Sequence, residues 1–232
     1  MKKTLLAGLA FGTMICGLAG VAGATTINFS SQDTAADKTS IYTYYDNFQI
    51  ETFNGVTPGT SIVLASGLDQ SWSWTGSAMV VQGSVSGKYA APYATSTADQ
   101  TPYLSVPNPS SSGSVTVALG NVYDYFGLWW GSVDAYNSIA FYNGNTLVES
   151  FTGTQVVSPS AANGNQTAPS TNIYVNFLDL PDFDSVKLTS TQYAFEVDNI
   201  AVGNAPVPEP ATMLLMGTGL AGLFGACRKK KA

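Results

Sequence analysis

Four tryptophans, a break in strand phase at Asp198-Asn199 and a few carboxylates are the residues of this 232-residue chain whose types and spacing could do chemistry. There is no histidine, which excludes a Ser–His–Asp triad, a Cys–His pair and any histidine-ligated metal. Trp129 and Trp130 are adjacent, so on a strand they must point to opposite faces, one into a core and one away from it. Trp129 shares its phase with Gly127 and Gly131, and small neighbours leave an indole room to lie flat, so the outer position goes to Trp129. Trp72 and Trp74 share a phase in Ser-Trp-Ser-Trp-Thr-Gly, a loop or an edge strand. An exposed indole can stack on a sugar ring while Asn, Asp and Tyr bond the hydroxyls. The competing reading is that all four are core or loop-anchoring aromatics.

The carboxylates divide by setting. Tyr193, Phe195 and Val197 lie on one strand phase, Ile200 and Val202 on the other, so a β-bulge or bend is expected at Asp198-Asn199. There Asp198 either hydrogen-bonds backbone amides freed by the bulge or, with Asn199, ligates a structural Ca²⁺. The ion would need roughly six to eight oxygens, partly from carbonyls. Asp179, Asp182 and Asp184 around Pro181 lack the glycine and glutamate of an EF-hand loop and read as a solvated turn. Glu51, Glu149 and Glu196 could in principle supply a glycosidase pair, but nothing in their spacing pairs them. The chain reads as a non-enzyme.

Charge narrows the partners. Six of the nine basic residues stand at the chain ends, and between Thr25 and Val207 three lysines face fourteen acids, a net −11. Such a surface repels phosphate backbones, so nucleic acid is not a partner.

The elements that must hold these residues have period two. Val115/Val117/Leu119, Ile139/Phe141, Ile173/Val175/Phe177 and Val186/Leu188 each put apolar side chains on one face. Asn143-Gly144 predicts a hairpin between 138–142 and 146–151, and Pro58-Gly59 a turn before a strand at 61–65. Tyr123–Val133 is apolar on both phases, as a central strand covered on both sides should be. Stretches 66–77 and 89–114, the latter with four prolines, read as long surface loops. The expectation is a single antiparallel β-sandwich, jelly-roll-like, over residues 25–205.

Both termini read as addresses. Lys2-Lys3, an apolar run and then Ala22-Gly23-Ala24 have the form of a signal peptide over 1–24, cut by signal peptidase after Ala24. Cys16 sits inside the apolar run behind Met14-Ile15, which is not a lipidation context. Ala211–Cys227 is seventeen uncharged residues, about 25 Å as a helix, and Arg228-Lys229-Lys230-Lys231 follows it. The basic cluster stays in the cytoplasm and the rest of the chain is exported. Both cysteines lie in these end segments, so the domain between them has no disulfide.

Val207-Pro208-Glu209-Pro210, then the apolar helix, then the basic tail resembles a PEP-CTERM sorting signal over 206–232. The resemblance implies a precursor held briefly in the inner membrane and then cut by an exosortase, a membrane cysteine peptidase. It further implies a surface or extracellular location in association with polysaccharide, biofilm or floc. Cys227 departs from the usual pattern, and a plain membrane anchor is the bland alternative. The run Phe126-Gly-Leu-Trp-Trp-Gly-Ser-Val-Asp-Ala-Tyr-Asn, with Phe195-Glu-Val-Asp-Asn later, is similar to a recurrent domain of exosortase-dependent surface proteins; that likeness implies the sandwich but no reaction. A carbohydrate-binding module using Trp72, Trp74, Trp129 or Trp130 is the alternative function.

Overall fold

Period-two patterning becomes pairing in the computed structural model, which describes residues 24–30, 38–94 and 96–206. In chain order the strands are β1 (Thr26–Ser30), β2 (Asp46–Glu51), β3 (Thr60–Ser61), β4 (Ser73–Gly76), β5 (Met79–Val81), β6 (Tyr103–Val106) and β7 (Gly113–Tyr123). Then come β8 (Tyr125–Gly131), β9 (Asn137–Asn143), β10 (Thr146–Thr152), β11 (Ile173–Leu178), β12 (Phe183–Ser190) and β13 (Phe195–Asn204). An eight-stranded sheet runs β1-β11-β8-β13-β6-β5-β3, with β2 also on β13; a five-stranded sheet runs β10-β9-β12-β7-β4. The ladders are antiparallel, as in β12 against β7 and β9 or β13 against β8. This is the expected all-β antiparallel sandwich. The hairpin at Asn143-Gly144 is present, with Gly144 at φ +56°.

The core lies between the sheets. Phe126, Leu128 and Trp130 of β8 face Phe141 of β9, Phe183 of β12 and Val117 of β7 in one buried cluster. Phe141 meets Phe126 and Phe183 at 5.4 and 5.1 Å, edge-on, and Trp130 stacks on Phe195 at 4.2 Å. The outer face of the eight-stranded sheet is covered too. Trp129 packs with Tyr174 and Ala94, while Tyr103 packs with Val81 and Ala91, both under the loop between β5 and β6. Tyr42 and Tyr45 cover Tyr125. That cover explains why β8 is apolar on both phases.

β13 is the spine. One edge pairs with β8 along its length; the other pairs with β6 over Phe195–Val197 and with β2 over Ile200–Asn204. At the handover, Asp198 opposes Trp129 and Ala201 opposes Gly127, so β13 carries one extra residue. This is the expected bulge, with Asn199 in the left-handed region at φ +48°.

Three expectations are corrected. The loop 89–114 contains β6, whose four residues are all buried and so show no alternation. The stretch 66–77 contains β4, an edge strand on β7. Residues 61–65 are not a strand: β3 ends at Ser61 and a 3₁₀ turn, Ile62–Leu64, follows. The signal peptide over 1–24 and the sorting segment over 206–232 lie almost wholly outside the described residues.

Candidate functional site

The bulge fixes the first of the expected site residues. Asp198 is 1% exposed, and its Oδ1 accepts the Asn199 N–H at 2.7 Å, which caps the backbone turn. Tyr174 donates its hydroxyl to the Asn199 carbonyl at 2.9 Å, and the Asn199 amide donates to the Lys38 carbonyl. Asp99, also buried, lies beside Asp198; its Oδ1 accepts the N–H and hydroxyl of Thr101 at 2.9 and 2.6 Å. Burial raises the Asp198 carboxyl well above the usual range, and the Asp99 charge adds to the effect. Asp99 Oδ2 is buried and accepts no hydrogen bond. This carboxyl pair stands where a Ca²⁺ site at Asp198 and Asn199 was expected. No group of three acidic, histidine or cysteine side chains gathers among the described residues.

The tryptophans are corrected as a set. Trp129 and Trp130 do point to opposite faces, but both are buried, at 1% and 0% exposure, because both faces of β8 are covered. The room beside the glycines is taken: a Cβ at Gly127 would meet the hydroxyls of Tyr125 and Tyr174, and one at Gly131 would meet Pro92 at about 3.0 Å. Trp72 and Trp74 are each 6% exposed. Trp72 donates Nε1 to Gln49 Oε1 at 3.0 Å, and Trp74 packs against Phe53. No indole offers an open face to a sugar.

The other acids sort as turns and struts. Asp182 and Asp184 brace the β9–β10 hairpin, through the Asp182 carbonyl on Asn143 and Asp184 Oδ2 on the Gly144 N–H at 2.9 Å. Glu51 accepts the N–H of Phe53 and of Gln70, at 2.9 and 3.0 Å, while Glu149 lies on β10 of the other sheet.

Glu196 leads to a site that spacing did not disclose. At one end of the sandwich, Glu196 of β13, the β8–β9 turn, the hairpin around Lys88 and the loop before β11 surround a cavity of about 230 Å³. Ser132, Asp134, Tyr136, Tyr89, Gln166 and Tyr193 share its lining with Glu196 and Lys88. The frame is tightly bonded. Ser132 donates its hydroxyl to Glu196 Oε2 at 2.9 Å, and the Ala90 N–H donates to Oε1 at 2.9 Å. Asn172 Oδ1 accepts the N–H groups of Ser132 and Tyr93, both at 3.0 Å, and so ties the loops together. Tyr136 donates its hydroxyl to the Tyr193 carbonyl at 3.0 Å. Burial pushes the Glu196 carboxyl up to about 7, and burial also raises Asp134. Four of these residues fall within the two runs singled out in the sequence, and β13 lies beside β8, so the runs meet here.

No curated protein matches the chain. Solved structures that resemble it include three from Clostridium perfringens. The family 32 carbohydrate-binding module of NanJ, in complex with galactose, is 15% identical over 56% of this chain and 92% of its own, with a TM-score of 0.31. The protein titled CpGH89CBM32-6 is 16% identical over 41% of this chain and 71% of its own, with a TM-score of 0.28. A module, CBM32-3, from a family 31 glycoside hydrolase is 12% identical over 54% and 74%, with a TM-score of 0.28. At these values the likeness carries nothing about function. The tail is different in kind: residues 206–229 match the family model of the PEP-CTERM protein-sorting motif.

Proposed function

We propose that the chain is a non-enzymatic surface or extracellular-matrix protein, made as a precursor of three parts. Residues 1–24 direct export and leave with signal peptidase, 25–205 form the working β-sandwich, and 206–232 hold it in the membrane until exosortase cuts. The released domain then resides in extracellular polysaccharide. One observation carries this reading: the sorting motif starts at residue 206, two residues after β13 ends at Asn204. A folded domain and its detachable tail are thus contiguous. Against catalysis, Glu51 and Glu196 each spend both carboxylate oxygens on protein donors, which suits struts better than acids or bases.

Intact-mass measurement of the protein recovered from the cell surface or medium tests the processing. The expected mass lacks 1–24 and everything beyond the neighbourhood of Pro208. A recovered protein that still carries Arg228–Lys231 would overturn it. A carbohydrate-binding module is the second reading, favoured by the polar end cavity instead of by the buried tryptophans.

A further inference from the structure

We propose that the end cavity bounded by Lys88, Tyr89, Asp134, Gln166 and Glu196 binds one neutral pyranose unit, a chain end or side branch of a polysaccharide. The proposal rests on the reading of the protein as polysaccharide-associated and names the place and class of contact.

The lining is built to hold a ligand of many hydroxyls. Among the described residues the side chains of Lys88, Tyr89 and Gln166 end in polar atoms with no protein hydrogen bond, although they ring a shared cavity. Lys88 and Gln166 are exposed donors on separate loops, and Tyr89 is half-buried with its ring edge against Tyr103. Asp134 is the matching acceptor: a carboxylate can take hydrogen bonds from two adjacent hydroxyls. Its position is fixed by Gly164, where any Cβ would run into the Asp134 carboxylate. Glu196 forms the floor and is rigidly held by Ser132 and Ala90, so it shapes the cavity without moving.

Size and charge select the ligand. About 230 Å³ is below the roughly 300–1,000 Å³ of sites for drug-sized molecules, so one ring fits and a run of sugars does not. Two carboxyls against one ammonium, within a domain of net −11, disfavour a uronate or sulfated sugar. The uncharged donors Tyr89 and Gln166 suit a neutral ring of hydroxyls.

The test uses the exported, processed protein. Saturation-transfer NMR and calorimetric titration would be run with the methyl glycosides of glucose, galactose, mannose and N-acetylglucosamine, and with glucuronic acid. At least one neutral glycoside should bind with a dissociation constant of about 1 mM, as a single-ring site would give. Binding should weaken at least tenfold in the Lys88→Ala/Gln166→Ala double variant and in Asp134→Asn. The double variant changes only exposed side-chain ends, and its melting temperature should equal the wild type's. No transfer to any neutral glycoside, tighter binding of glucuronic acid, or undiminished binding by the folded double variant would each overturn the proposal. Co-sedimentation of the protein with the cell's own matrix reads the broader association separately: a protein that sediments with matrix but ignores all glycosides fails here and not there.

Discussion

Glu196 is a buried carboxyl on the spine strand, and its environment makes stability depend on pH. Burial lifts it from 4.5 to about 7, so the folded protein binds its proton more tightly than the unfolded chain does. The stabilisation is complete below about 4.5 and is lost as pH rises through 7; the interval is worth about 3 kcal/mol. Asp198 and Glu51 are raised as well and push in the same direction. The domain should melt at a lower temperature at pH 8 than at pH 5. Glu196→Gln, which keeps an acceptor for the Ala90 N–H, should narrow that gap chiefly by raising the melting temperature at pH 8. An unchanged gap in the variant would show that Glu196 does not titrate as argued. The tryptophans act by bulk instead. Trp130→Ala removes the ring stacked on Phe195 and Trp129→Ala empties the layer under the β5–β6 loop, so each should cost about 3–5 kcal/mol in urea unfolding. A tolerant Trp129→Ala would mean the outer layer contributes little.

At the scale of elements, the bulge lets a single strand serve two partners on one edge, and Asn199 is the residue that makes it possible. Its φ of +48° is tolerated by Asn and Gly and resisted by other residues. Asn199→Gly should lose only the bond to the Lys38 carbonyl, whereas Asn199→Ala adds about 1–2 kcal/mol of left-handed strain. Urea midpoints should therefore fall in the order wild type, Gly, Ala, and Ala above Gly would sink the strain argument. This bulge was readable from the chain because apolar phase switches between Val197 and Ile200. The strands with one polar face were equally readable, from Val115 to Leu119 and from Val186 to Leu188. β6 was hidden because both its faces are covered, leaving no alternation between Pro102 and Pro107. The burial of Trp129 was hidden for the same reason: a covering loop has no periodicity, so the packing of Trp129 with Ala94 and Tyr174 leaves no trace in spacing. The end cavity was only half legible. Ser132, Asp134, Tyr136 and Glu196 lay in recognisable runs, but Lys88 and Gln166 reach it from loops whose polar residues resemble any solvated turn.

For the whole molecule, the decisive arrangement is a domain whose last strand is central and whose sorting motif begins just beyond it. β13 pairs with β8, β6 and β2, and the Ala205 N–H donates to Asp124 Oδ1 at 2.7 Å, which ties down the exit of the chain. Cleavage near Pro208, as proposed, would leave every ladder of the described strands intact. The two cysteines, Cys16 and Cys227, fall outside 25–205, so no disulfide supports that segment. A chain ending after Ala205 and starting at Thr25 should unfold in one transition, with the same midpoint in the presence and absence of reductant. A chain ending after Val197 should fail to fold, because it leaves β2 without a partner and removes four of the six pairs between β8 and β13. Circular dichroism melts of the two fragments decide the matter. If the longer fragment lacks a cooperative transition, the sorting segment is part of the fold. The division into a working domain and a detachable address would then have to be abandoned.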